Sequence, residues 1–176
     1  MLKMFSTQVA GLFKRISERE ELAIEDGARL LAQAAAGEGS IYIYGINEMS
    51  AIQFEAENGQ EILTSAKAAD SISVLSLVSD ADRALIVSRF STDPEAVAAA
   101  RLLVEKGISF VGISTVIPDS DDDLSSLADV HINLGLTKGL LPDEQGGRVG
   151  FPTSMAALFV YYALRFTIDE ILEEYE

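Results

Sequence analysis

The sequence predicts an α/β protein, a three-layer sandwich around a five-stranded parallel sheet, on three observations. Five short apolar runs alternate with helical patterns along the chain, which is the signature of βαβ units. The run ALIV at 84–87 is apolar throughout, as in a strand covered on both faces. A length of 176 residues allows one full core but not two comfortable domains. We therefore expect a single domain over residues 1–176.

Two helices are expected before the sheet. Apolar residues recur with a helical period from Leu2 to Ile16. A second stripe runs from about Glu20 to Ala36, and the glycine-rich turn 37–39 ends it. Residues 1–37 are thus assigned to amino-terminal helices, and residues 38–176 to the α/β core with its carboxyl-terminal helix.

The remaining elements follow from changes of period and from turn residues. The predicted strands lie at 41–45, at 61–65, within 82–88, at 108–114 and at 128–134. The predicted helices between and after them are Met49–Asn58, Pro94–Lys106 and about Thr153–Glu174. The long connection 135–152, rich in glycine, suggests a mobile lid or an oligomer contact.

Composition excludes several classes of protein. A net charge of −15 repels nucleic acid and anionic membranes. The longest apolar run, Met155–Leu164, is about half of the roughly 20 residues that a spanning helix needs. There is no cysteine, and the amino terminus lacks a signal-peptide pattern. We expect a cytoplasmic protein without nucleic-acid or membrane partners.

Three loops follow the carboxyl ends of predicted strands, at 45–50, 88–95 and 114–123. Ligands of open parallel sheets bind at this edge, and a helix amino terminus there favours an anion. The loops supply hydroxyl groups for an uncharged phosphate cradle, from Ser50, Ser88, Ser91, Thr92, Ser114 and Thr115.

Helix capping explains the same residues without a ligand. Thr92 and Glu95 have the spacing of a capping box, and Asp93-Pro94 is an equally good helix start. The acidic run 119–123 is typical of a solvated helix start, while its spacing lacks the glycine and final glutamate of a known calcium loop. The local sequence is therefore compatible both with a phosphate-binding site and with a helix cap that binds no ligand.

Three segments resemble the SIS, or sugar isomerase, domain family, in particular its phosphoheptose isomerase branch, including a bacterial group of similar length. SRFSTDPE at 88–95 resembles the family's serine-rich loop. LVEKGISFVGIST at 103–115, with LADVHINL at 127–134, follows the family's next strand, loop and final strand. FPTSMAALFVYYAL at 151–164 resembles the start of its last helix. The resemblance implies a five-stranded parallel sheet in flavodoxin-like order.

The resemblance also implies a function and a set of residues. It implies a phosphosugar ligand, a homodimer or higher homo-oligomer, and Glu57 as the catalytic base of an aldose–ketose isomerase. Some heptose isomerases use zinc, but the sequence shows no ligand cluster for it, and we expect no cofactor and no metal. The predicted phosphosugar-binding residues combine the loop hydroxyl groups with the positions that the resemblance implies. They are Gly45, Asn47, Ser50, Ser88, Arg89, Ser91, Thr92, Ser114, Thr115, Thr153 and Ser154.

Departures from the family pattern leave two functions open. The first loop contains Glu48, and Asp93 replaces a hydroxyl position, so two carboxylates lie where a phosphate would bind, with Arg89, Lys138 or Arg148 available to offset them. The last helix lacks the family's histidine, for which Tyr161, Tyr162 or a residue of a partner subunit could substitute. The chain's one histidine, His131, lies in a strand and is expected to be structural. The alternatives are an isomerase resembling phosphoheptose isomerase and a catalytically silent module that senses a sugar phosphate through a dimer.

Overall fold

Five strands form one parallel sheet. In this computed structural model, which describes residues 1–175, its strands are β1 (Ile41–Gly45), β2 (Ala66–Ala68), β3 (Arg83–Phe90), β4 (Phe110–Thr115) and β5 (Val130–Asn133). Their spatial order is β2-β1-β3-β4-β5, and every neighbouring pair is parallel. This confirms the predicted fold class. The last residue of the predicted domain, Glu176, lies outside the described residues.

Helices cover both faces of the sheet. They are α1 (Leu2–Arg19), α2 (Glu21–Ala36), α3 (Ala51–Asn58), α4 (Ile72–Leu75), α5 (Pro94–Lys106), α6 (Leu124–Leu127) and α7 (Thr153–Glu173), with a 3₁₀ turn at Asn47–Ser50. One core joins α1, α2, α3 and α7 to the sheet, and a second joins α4, α5 and α6 to its other face. Within residues 1–175 no helix is both long and apolar enough to cross a membrane.

Strand residues alternate between the two cores, as the period of a strand requires. Ile43 and Leu85 face the α2/α7 side, whereas Tyr44 and Ile86 face α5. Both faces of the central strands are therefore buried, which explains why their sequences are apolar throughout.

The prediction for the second strand is wrong. The strand is Ala66–Ala68 rather than residues 61–65. Leu63 is the only buried residue of 61–65, and Ser65 has a positive φ of 63°, a left-handed conformation that an extended strand cannot include. The chain thus turns at Ser65, and Ala66 then pairs with Ile41 of β1.

The connection 135–152 contains an antiparallel hairpin of β6 (Leu141–Pro142) and β7 (Arg148–Val149). Arg148 donates hydrogen bonds to the carbonyl oxygens of Gly139 (2.7 Å) and Leu140 (2.8 Å). Its guanidinium group is therefore bound within the hairpin. The sequence-based alternative in which Arg148 offsets the loop carboxylates stays a prediction.

Candidate functional site

The candidate site lies where the strand order reverses, between β1 and β3. A bidentate ion pair joins the 3₁₀ turn after β1 to the end of β3: Arg89 Nε donates to Glu48 Oε1 and Arg89 Nη2 to Glu48 Oε2, each at 2.8 Å. In open parallel sheets, ligands bind at the carboxyl edge where the strand order reverses, and we call this position the β1–β3 crevice.

A β-bulge near the end of β3 aims backbone groups into this site. Val87 pairs with Ile113 and Phe90 with Thr115, so two residues of β3 stand opposite one residue of β4. A bulge of this kind releases backbone groups from the ladder. The N–H groups of Arg89 and Phe90 instead donate to Asp93 Oδ2, at 3.1 and 3.3 Å.

The expected capping box at Thr92 does not form. The N-cap of α5 is Asp93, with Pro94 in the first turn, and no side chain caps the helix. The reason is that the Asp93 carboxylate is turned back onto the bulge. The helix start predicted at Asp93-Pro94 is correct, but its aspartate binds two amides outside the helix.

Glu48 connects three elements of the site. Besides its pair with Arg89, its Oε1 accepts a hydrogen bond of 2.9 Å from the Thr153 hydroxyl group in the first turn of α7. The hydrogen bond from Arg89 lowers the pKa of Glu48, and the Thr153 hydroxyl group lowers it further. Glu48 is therefore a stable anion that holds the β1 loop, the β3 loop and the start of α7 together.

Four hydroxyl groups proposed for the phosphate cradle belong to buried residues that bind neighbouring loops. Ser88 donates to the Phe90 carbonyl oxygen at 2.8 Å. The Ile117 N–H donates to Ser91 Oγ and the Leu136 N–H donates to Thr115 Oγ1, each at 3.0 Å. Ser114 Oγ and His131 Nε2 share a hydrogen bond of 2.7 Å. These hydroxyl groups hold the bulge and the loops after β4 and β5 in place. Their role in binding stays a prediction.

The other predicted binding residues are neighbours in sequence of Glu48, Arg89 and Thr153. Asn47 and Ser50 begin and end the 3₁₀ turn that carries Glu48, and Asn47 is exposed with a φ of 54°. Thr92 is exposed beside the bulge, and Ser154 is half-buried beside Thr153. These positions also stay predictions.

Gly45 and Gln53 place the turn against the sheet. The Gly45 N–H donates to Gln53 Oε1 at 2.8 Å, and Gln53 Nε2 donates to the Ala69 carbonyl oxygen at 3.0 Å. Gln53 is buried on α3 and was missed by sequence reasoning. Its signal was a polar residue on a helix face otherwise formed by Ile52 and Ala56.

The structure places the predicted base, Glu57, at the outer strand. It is exposed on α3, and its Oε1 accepts the Ala68 N–H of β2 at 2.5 Å. Within residues 1–175 it has no hydrogen bond to the loops after β1, β3 or β4. The neighbouring Glu55 accepts a bond from the Tyr162 hydroxyl group at 2.5 Å.

Three other titratable side chains have shifted pKa values: Tyr161, which could replace the family's histidine, and His131 and Asp123. Burial raises the pKa of Tyr161 to about 12. Burial likewise lowers the pKa of His131 to about 4, so its imidazole is neutral at pH 7. Burial would raise the pKa of Asp123, but hydrogen bonds from the Ser125 hydroxyl group and the Ser126 N–H help to lower it to about 2.

Asp123 confirms the helix start predicted in the acidic run. It caps α6, and Ser126 completes a capping box; unlike the expected solvated residue, Asp123 is buried. In the part of the chain that the structure describes, no three His, Asp or Glu residues converge as metal ligands.

Solved structures of phosphosugar proteins share this fold. Escherichia coli CFT073 c3406, solved in complex with a phosphosugar, is similar with a TM-score of 0.73 and 15% identity, covering 98% of this chain and 89% of that one. Phosphoheptose isomerase GmhA from Neisseria gonorrhoeae is similar with a TM-score of 0.65 and 15% identity, over 94% and 95% of the chains. The fold is that of the SIS domain, as the sequence resemblance implied.

The sequence itself defines a narrower group within that fold. The chain belongs to the family described as "Domain of unknown function (DUF2529)", whose model matches residues 1–172. A relative of similar length, "Uncharacterized protein YwjG" from Bacillus subtilis (strain 168), is 45% identical over 175 residues, or 99% of each chain.

Proposed function

We propose that this protein binds a phosphosugar at the β1–β3 crevice and acts as a catalytically silent sensing module of the SIS fold. The observation that carries the proposal is the bulge in β3, whose two N–H groups bind an oxygen anion, the Asp93 carboxylate. The guanidinium group of Arg89 lies on the same loop. Paired backbone amides beside an arginine are typical of phosphate recognition.

The surrounding charge makes a local site necessary. The chain carries 28 acidic and 13 basic residues, so its field does not attract an anion from a distance. Affinity has to come from groups at the crevice, namely the bulge amides, Arg89 and the Thr153 hydroxyl group. The solved complex of c3406 supports a phosphosugar as the ligand class.

The arrangement of acids and bases favours binding over isomerisation. An isomerase needs a base and an acid within reach of adjacent carbon atoms. Glu57 instead binds the outer strand, Glu55 binds Tyr162, and His131 is neutral and bonded to Ser114. The phosphoheptose isomerase alternative depends on Glu57, which lies on the helix where the resemblance places the base.

Binding is tested by thermal unfolding in phosphate-free buffer against a panel of sugar phosphates that includes arabinose 5-phosphate and sedoheptulose 7-phosphate. A ligand at 100 times its dissociation constant should add about 2.7 kcal/mol to the free energy of unfolding, which raises Tm by several degrees. The unphosphorylated sugars serve as controls and should give no shift. If no sugar phosphate raises Tm at millimolar concentration, the proposed function is wrong.

Catalysis is tested with Glu57→Gln. We expect no isomerisation by the wild-type protein and the same sugar-phosphate affinity in both proteins, because the Glu57 carboxylate on α3 is bonded to the outer strand β2. The measurements are a coupled turnover assay and calorimetric titration. Turnover by the wild type that disappears in Glu57→Gln at unchanged affinity would establish the isomerase instead.

The proposal includes a cytoplasmic homodimer formed through α3 and α7. These helices meet at the bond between Glu55 and Tyr162, and the side chains of Phe54 on α3 and Phe166 on α7 are 69% and 54% exposed. Large exposed apolar side chains mark interaction surfaces, and burying these two between copies would favour association despite the net charge of −15.

Sedimentation velocity at micromolar concentration tests the dimer. We expect the wild type to sediment as a dimer and Phe166→Glu as a monomer, because the new carboxylate would be buried against a like-charged copy. Leu22→Glu is the matched control, since Leu22 is exposed on α2, outside this face. A wild-type monomer, or a Phe166→Glu dimer, would contradict the proposed interface.

A further inference from the structure

Two of the chain's own carboxylates hold the groups that a phosphate would use. We propose that Asp93 and Glu48 are internal counter-ions, and that a phosphosugar binds by exchanging with them at the bulge amides, Arg89 and Thr153. This inference rests on the proposed function and adds the residues that set ligand affinity. It makes Asp93 and Glu48 competitors of the ligand rather than parts of its binding surface.

The Asp93 carboxylate is the first competitor. Its Oδ2 accepts both the Arg89 and the Phe90 N–H groups, so a ligand oxygen can reach them only if Asp93 turns away. Asp93 has an alternative partner, because it is the N-cap of α5 and no side chain caps that helix. An aspartate at this position ordinarily accepts the N–H groups of the first helical turn. Rotation of one side chain would therefore open the bulge amides and cap α5.

Glu48 is the second competitor. Its carboxylate binds Arg89 through two parallel bonds of 2.8 Å, the geometry in which a guanidinium group also binds phosphate. The pair is open to solvent, since the side chains of Arg89 and Glu48 are 46% and 30% exposed. A phosphate that takes the place of Glu48 on Arg89 would also release the Thr153 hydroxyl group from Glu48 Oε1.

The two exchanges share Arg89, because Asp93 binds its backbone N–H and Glu48 binds its side chain. Binding would therefore change the partners of the β1 loop, the β3 loop and the first turn of α7 together. Removing the charge of either carboxylate weakens the competitor and should raise phosphosugar affinity, which is the reverse of the effect expected for a residue that contacts the ligand favourably.

The experiment measures the affinity of the full chain for arabinose 5-phosphate and for inorganic phosphate by calorimetric titration. The variants are Asp93→Asn, Glu48→Gln and the double variant, each nearly isosteric with the wild type. Glu95→Gln is the matched control, because it removes one negative charge from the start of α5 and leaves both competitors in place. We expect at least tenfold tighter binding by each single variant, and less than threefold change in the control. In ¹⁵N-labelled wild type, the Arg89 and Phe90 amide signals should move on titration.

Each outcome decides between the two proposals. Tighter binding by the variants than by the control supports the exchange. Equal affinity in the wild type, both single variants and the control overturns the exchange and leaves the proposed function standing. If neither the wild type nor the double variant binds arabinose 5-phosphate or any other sugar phosphate of the panel, the proposed function fails and the exchange fails with it.

Discussion

Replacing Gly45 with alanine is expected to lower the free energy of unfolding by about 3 kcal/mol or more. A Cβ atom at this position would lie 2.2 Å from the Met49 carbonyl oxygen and 2.7 Å from the Ser50 nitrogen. Both neighbours are backbone atoms of the 3₁₀ turn, so the clash cannot be relieved by rotating a side chain. Urea unfolding followed by circular dichroism measures the loss.

Gly11→Ala is the matched control for this substitution. Gly11 lies inside α1, and a Cβ atom there would meet only the flexible end of Arg15, at 3.5 Å. Alanine there should raise the free energy of unfolding by about 0.5–1 kcal/mol, because glycine is a poor helix former. A Gly45→Ala protein with the wild-type urea midpoint would show that the turn adapts to the extra methyl group.

His131 should make stability depend on pH between about 6.5 and 4. Burial lowers its pKa from 6.5 to about 4 in the folded protein, so the unfolded chain binds a proton in this window and the folded one does not. The contribution of His131 to the free energy of unfolding is therefore fully present above pH 6.5. It falls as pH decreases, until His131 is protonated in both the folded and the unfolded protein below about pH 4. The total loss is about 3 kcal/mol, and about 2 kcal/mol of it is reached at pH 5.

His131→Gln isolates this effect. A glutamine amide retains a polar group for the Ser114 hydroxyl, which lies 2.7 Å from His131 Nε2, but it does not titrate. Urea unfolding of both proteins at pH 7.5 and pH 5.0 gives the comparison, and carboxylates such as Asp123, with a pKa of about 2, titrate mainly below this range. The wild type should lose about 2 kcal/mol more than the variant. Parallel losses would mean that His131 is protonated in the folded state.

The regular elements could be predicted because their sequence patterns are long. The 13 residues of α5 end at Gly107, which has a left-handed φ of 68°, as the glycine indicated. Strand β2 was misplaced because its three residues are too few to show an alternating pattern, and the apolar residues before it look more like a strand.

The candidate site was only partly predictable. Sequence order places hydroxyl residues at the carboxyl ends of strands, and this locates the loops. It cannot show that Ser88 and Ser91 turn inward, since a loop hydroxyl group has no periodicity. The partners of Glu48 lie 41 and 105 residues away along the chain, so only the folded structure brings the competing charges to Arg89 and Thr153.

The amide of Gln53 has a consequence for how the sequence can vary. Its oxygen accepts from β1 and its nitrogen donates to the Ala69 carbonyl oxygen, so both ends of the group are specified. Glutamate has the same shape as glutamine, and 28 other positions of this chain are acidic. At position 53, however, a glutamate would place a carboxylate oxygen against the Ala69 carbonyl oxygen in a buried space. A Gln53→Glu exchange would therefore loosen the outer strand, so at this position a neutral amide cannot be replaced by the charged residue of the same shape.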